Sequence, residues 1–135
     1  MFMGKFDEKK NFKNPLAYEY WEESHVWGYA VSRIFEEDGK LAASIANYTA
    51  VGYAIMAEEL EPYNPQVVFW KEFISELAGA SNEYLINTLA TAYVKLKLAG
   101  EHGYDQQQAD RYIGIVEFAL NDLIPKLERG ELWQN

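Results

Sequence analysis

Residues 41–57 read LAASIANYTAVGYAIMA, and no charged side chain interrupts them, in a 135-residue chain of which 24% is charged. The stretch is rich in small side chains: Ala42, Ala43, Ser44, Ala46, Ala50, Gly52, Ala54 and Ala57. Small residues recurring every three or four positions let a helix be approached closely. Leu41, Ile45, Tyr48, Val51 and Ile55 recur at the same period on a second face. A helix with no charged face is one that other helices surround. The stretch therefore predicts a buried, uncharged helix at the centre of an all-α domain.

Upstream, Asn14-Pro15 opens a helix, since asparagine is favoured at the N-cap and proline in the first turn. Leu16, Tyr20, Trp27, Val31 and Ile34 give it an apolar stripe as far as Asp38, and Gly39 suits its end. With so short a connection, the two helices should form an antiparallel hairpin. In that hairpin Gly28 and Gly52 should face each other at a close crossing. Downstream, Asn64-Pro65 repeats the opening, and Gly79 closes a third helix carrying Val67, Phe69, Trp70, Phe73, Ile74 and Leu77. Ser81 caps a fourth helix, and Asp105 starts a fifth that Pro125 should end or kink. The tail's Leu127, Leu132 and Trp133 are able to pack back. No strand-like alternation and no linker occur, so the expected fold is a single bundle of five helices over residues 15–135.

The composition narrows the function classes. Apolar residues make up 49% and aromatics 16%, enough for one domain with a real core. The absence of cysteine excludes disulfides, thiolate metal sites and cysteine nucleophiles. The uncharged stretch is short of the ~20 apolar residues that a membrane span needs. The opening MFMGKFDEKKNFKN has no apolar run of the secretory kind. A cytoplasmic protein without membrane contact is the expectation. Residues 1–14 carry Lys5, Lys9, Lys10 and Lys13 against Asp7 and Glu8, and read as a basic flexible arm. The rest is more acidic than the net charge of −9. Such a body repels phosphate backbones, which disfavours nucleic acid, and suits a basic protein surface or a metal ion.

Phosphate-binding loops, dinucleotide fingerprints, zinc-protease and nucleophile-elbow motifs are all absent from the sequence. The EExxE and ExxD pattern of MazG-type pyrophosphohydrolases is not met either. Glu58-Glu59-Leu60-Glu61 is one residue too tight, and Leu120 stands where the aspartate would follow Glu117. Glu22 and His25, three apart, form half of the Glu-x-x-His pattern of di-iron bundles, but Ala99 precedes His102 at the matching position.

If the hairpin turns at Gly39-Lys40, Glu19, Glu22, Glu23, Glu58, Glu59 and Glu61 crowd one end of it, beside Tyr18 and Trp21. Three acids at a helix C-terminus oppose its dipole and call for something positive. Lys71, or the basic arm around Lys9 and Lys13, could supply it from within the chain. The sequence thus predicts a non-catalytic helical binding module of the inhibitor, antitoxin, immunity or phage-accessory kind. Its basic partner would meet Tyr18, Glu19, Trp21, Glu22, Glu23, Glu58, Glu59 and Glu61. The alternative is a metal-binding bundle enzyme, or a small-molecule pocket, in which Glu22, His25 and Glu58 hold a divalent metal. Self-association is compatible with both.

Overall fold

Two asparagines start two of the helices in the same way. In the computed structural model, which describes residues 9–78 and 81–130, the Asn14 side chain accepts from the Leu16 N–H at 2.9 Å. The Asn64 side chain accepts from the Gln66 N–H at 3.0 Å. A proline follows each, where its missing N–H costs nothing. The helices are α1 (Pro15–Asp38) and α3 (Pro65–Leu77). Between them runs α2 (Lys40–Leu60), joined to α1 by Gly39 alone at φ 93° and ψ −177°, a conformation that essentially only glycine adopts. The Ser81 hydroxyl caps α4 (Asn82–Lys97) by accepting from the Tyr84 N–H. A 3-10 turn (Gly100–His102) leads to α5 (Gln106–Glu128), whose first turn is held by the Asp105 carboxylate.

Among the described residues the protein is an all-α bundle of these five helices. The fifth passes through Pro125 to Glu128. A proline this close to a C-terminus deletes one bond of the ladder, and the chain recovers with the Arg129 N–H on the Pro125 carbonyl. Leu132 and Trp133 lie outside the described residues, as does the side chain of Leu127.

α1 and α2 form one antiparallel hairpin, α4 and α5 a second, and α3 stands between them. Val67, Trp70 and Ile74 of α3 pack with Tyr18, Trp21, Ala50, Ala54 and Ala57 of the first hairpin. Val68, on another face of α3, joins Leu89, Leu96, Ile113 and Val116 of the second. The helix shared by both cores is therefore α3.

The small-residue face of α2 is buried as expected, through Ala43, Ala46, Ala50, Ala54 and Ala57. Its large-residue face is not: Leu41, Ile45 and Tyr48 are 77%, 58% and 67% exposed. α1 and α3 both approach α2 on the alanine side; on the opposite side Tyr48 borders a cleft with Ser75, Ala78, Ser81 and Tyr84, while Leu41 and Ile45 are left exposed. The two mid-helix glycines do not meet. A side chain on Gly28 would run into Ile74 and Trp70 at 3.0 and 3.2 Å, so this glycine admits α3, whereas Gly52 faces open space.

The hairpin register is fixed by Ser24, whose hydroxyl donates to the Ala50 carbonyl at 2.6 Å, and by Tyr20 against Tyr53. It runs about one and a half helical turns away from the register that the Gly39-Lys40 turn alone implies. Of the expected basic arm, residues 9–13 are described: Phe12 is half-buried, edge-on to Tyr18 at 5.3 Å and beside Trp21, and its neighbours are exposed. No helix among the described residues is long and apolar enough to cross a membrane.

Ile74 is wholly buried in the first core. Ile74→Ala should cost about 2–5 kcal/mol of unfolding free energy. The same change at exposed Ile115 should stay within about 0.5 kcal/mol, both read by urea denaturation.

Candidate functional site

Trp21, His25 and Tyr29 recur every four residues along α1 and present a row of rings to α3. Phe69, Trp70 and Phe73 of α3 and Tyr112 of α5 close the other walls of a cleft of about 230 Å³, floored in part by Gln66. The rings are held in place from behind. The Trp21 indole N–H donates to the Gln66 carbonyl at 3.2 Å, and the Trp70 indole N–H to the Ser24 hydroxyl at 2.7 Å. Both indoles border the cleft with their N–H groups turned inward and are themselves buried, 4% and 6% exposed. His25 stacks on Trp70 at 3.6 Å, and Phe69 on Tyr112 at 4.4 Å. Tyr29, 64% exposed, forms the lip.

The electrostatics of the cleft follow from this packing. Burial among rings lowers the His25 pKa to about 4, against the opposing pull of the Trp21 carbonyl on Nδ1 and of the Glu22 charge. The imidazole is thus neutral near pH 7 and acts as one more aromatic wall. Glu22, half-buried at the rim, accepts from the Tyr18 hydroxyl at 2.9 Å. Aromatic faces beside a carboxylate form a surround that attracts a cation.

The acids expected to act together are separated by the fold. Glu58 lies between Lys71 at 3.5 Å and Lys95 at 3.3 Å, so its charge is matched inside the chain. Glu61 is buried, accepting from the Asn14 N–H at 2.7 Å, the Asn64 side chain at 3.0 Å and the Tyr104 hydroxyl at 2.8 Å. Tyr18 and Trp21 are buried instead of forming an open aromatic patch, because Phe12 packs against both. Glu19, Glu23 and Glu59 are exposed. Glu22, His25 and Glu58 are not brought together: His25 turns to Trp70, and Glu58 to the lysines of α3 and α4. Among the described residues no three His, Asp or Glu side chains are gathered as metal ligands.

Two features escaped the sequence reading. The far wall of the cleft comes from Phe69, Phe73 and Tyr112, of which the first two carry a signal in their four-residue spacing. The other is Glu72, buried on α3 with its Oε1 unpaired among the described residues. It follows Val68 by four positions and so falls on a core-facing stripe, the only hint that the sequence offers. Burial, and then the Glu76 charge, raise its pKa to about 7. No protein-family model matches the chain, and neither a curated protein nor a solved structure matches it.

Removing the Glu61 carboxylate strands three donors. Glu61→Ala should therefore cost on the order of 3 kcal/mol, while Glu59→Ala two residues from it stays within about 0.5 kcal/mol. Glu72 binds its proton more tightly folded than unfolded, so its contribution to stability falls as pH rises from about 4.5 to about 7. His25 acts in the opposite sense, its contribution falling as pH drops from 6.5 to about 4. Glu72→Gln should match the parent near pH 4.5 and exceed it by on the order of 3 kcal/mol at pH 8, in urea titrations at both.

Proposed function

We propose that this protein is a binding module that takes a cationic side chain, lysine or arginine, of a basic protein partner into the aromatic cleft between α1 and α3. The observation that carries the reading is the cleft itself: a wall of rings with Glu22 at its rim and an uncharged His25 within it. Each cation–π contact of this kind contributes about 0.5–1 kcal/mol where exposed and about 2 where desolvated. Exposed Glu19 and Glu23 on the same helix extend the negative field around the mouth, and the net charge of −9 draws a basic partner toward it. This reading keeps Glu19, Glu22, Glu23 and Trp21 of the surface expected from the sequence. It drops Glu58 and Glu61, whose charges are engaged within the fold. Blocking or bridging a basic surface is the task such a module would perform.

Trp21 and Trp70 report on the cleft directly. A penta-arginine peptide should change tryptophan emission saturably, and the change should weaken in high salt. Glu22→Gln should weaken binding three- to tenfold, and Tyr29→Ala by a similar factor, with the melting temperature of both variants close to the parent's. Emission that does not respond to the peptide, or an affinity equal to the parent's in both variants, would remove the cleft from the proposal.

A further inference from the structure

The uncovered side of α2 is a continuous apolar seam. Leu41, Ile45, Tyr48, Gly52 and Ile55 follow one another at alternating spacings of four and three, and Glu59 continues the series. This is the repeat by which one helix lies along another. Leu41, Ile45, Tyr48, Ile55 and Met56 are 77%, 58%, 67%, 39% and 40% exposed, and no charge falls between Lys40 and Glu58. Elsewhere exposed apolar residues are diluted: on α5, Ile115 and Phe118 share their face with Arg111 and Asp122.

We propose that this seam is the interface of a homodimer in which α2 packs antiparallel on α2 of a second copy. Three observations select this occupant. First, the seam is self-complementary in that orientation. With the two-fold axis midway between positions 48 and 52, each Tyr48 lies opposite Gly52 of the other copy, and each Ile45 opposite Ile55. Gly52 has nothing within 4 Å of where a Cβ would stand, leaving a slot for the tyrosine ring.

Second, the ends match in charge. Lys40 of one copy comes beside Glu59 of the other, and both are exposed. A parallel pair would instead set Glu59 against Glu59. Third, Leu41, Ile45, Tyr48, Ile55 and Met56 make one contiguous exposed apolar face on a single helix, and exposed patches of this kind mark interaction surfaces. The interface lies apart from the aromatic cleft, so a dimer carries two clefts.

The test is sedimentation equilibrium of the full chain at about 50 μM. The parent should sediment at twice the 15.6 kDa of the chain. Ile45→Glu, which changes a residue that is exposed in the single chain, should sediment as one chain with an unchanged helical circular dichroism spectrum. Gly52→Leu puts a side chain into the slot at a position where a Cβ meets nothing within 4 Å, and should weaken the dimer at least tenfold even if Ile45→Glu fails to fold.

Orientation is read by oxidation, since the native chain has no cysteine. An equimolar mixture of Ile45→Cys and Ile55→Cys chains should form the mixed disulfide, and Ile45→Cys alone should form none. A parent chain that stays monomeric, an Ile45→Glu chain or a Gly52→Leu chain that dimerises like the parent, or self-crosslinking of Ile45→Cys would each overturn the proposal.

Discussion

The Glu61 carboxylate is the point on which the arrangement of helices depends. Burying a carboxylate costs several kcal/mol unless hydrogen bonds replace its water. Here three segments supply them: the Asn14 N–H before α1, the Asn64 side chain before α3 and the Tyr104 hydroxyl before α5. Burial, reinforced by the bond to Glu61, raises the Tyr104 pKa and keeps that hydroxyl a donor. Neighbouring contacts tighten the junction. Asn64 also donates to the Asn11 carbonyl, Lys13 lies over the Tyr104 ring and donates to the His102 carbonyl, and His102 stacks on Tyr63 at 3.6 Å. A single acid at the end of α2 thus joins the segments that lead into α1, α3 and α5.

From that junction α3 runs between the hairpins, and its central position creates the cleft. The chain of bonds from the Trp70 indole through the Ser24 hydroxyl to the Ala50 carbonyl ties α3, α1 and α2 at one level. It fixes the plane of Trp70, and His25 stacks on that plane. Gly28 makes this possible, because any side chain there would push Ile74 and Trp70 away. The site is therefore built on helices, with its indole N–H groups bonded within the protein, Trp21, His25 and Trp70 buried, and Tyr29 and Phe73 exposed at its edge.

Much of the fold was legible because it is written locally. Asparagine–proline starts, Gly39 at a conformation foreign to other residues and the absence of alternation act within a few residues, and each produced the element that it promised. The site was less legible. Trp21, His25 and Tyr29 stand at four-residue spacing on α1, but their partners Phe69, Phe73 and Tyr112 come from helices whose placement depends on Glu61. The acidic cluster was misleading for the same reason. Charges adjacent in a hairpin drawn flat are separated once Lys71 and Lys95 draw Glu58 to one side and three donors draw Glu61 inward.

The sequence by itself determined the class, the helix ends and the small-residue face of α2, since propensity, capping and periodicity are properties of neighbouring residues. Tertiary structure alone decided which helix stands at the centre, which acids stay at the surface and which face of α2 is left open. Those outcomes turn on long-range hydrogen bonds and on how closely backbones approach. A run such as residues 41–57 states that both faces of a helix are fit for burial, and only the packed molecule shows which of them its own chain covers.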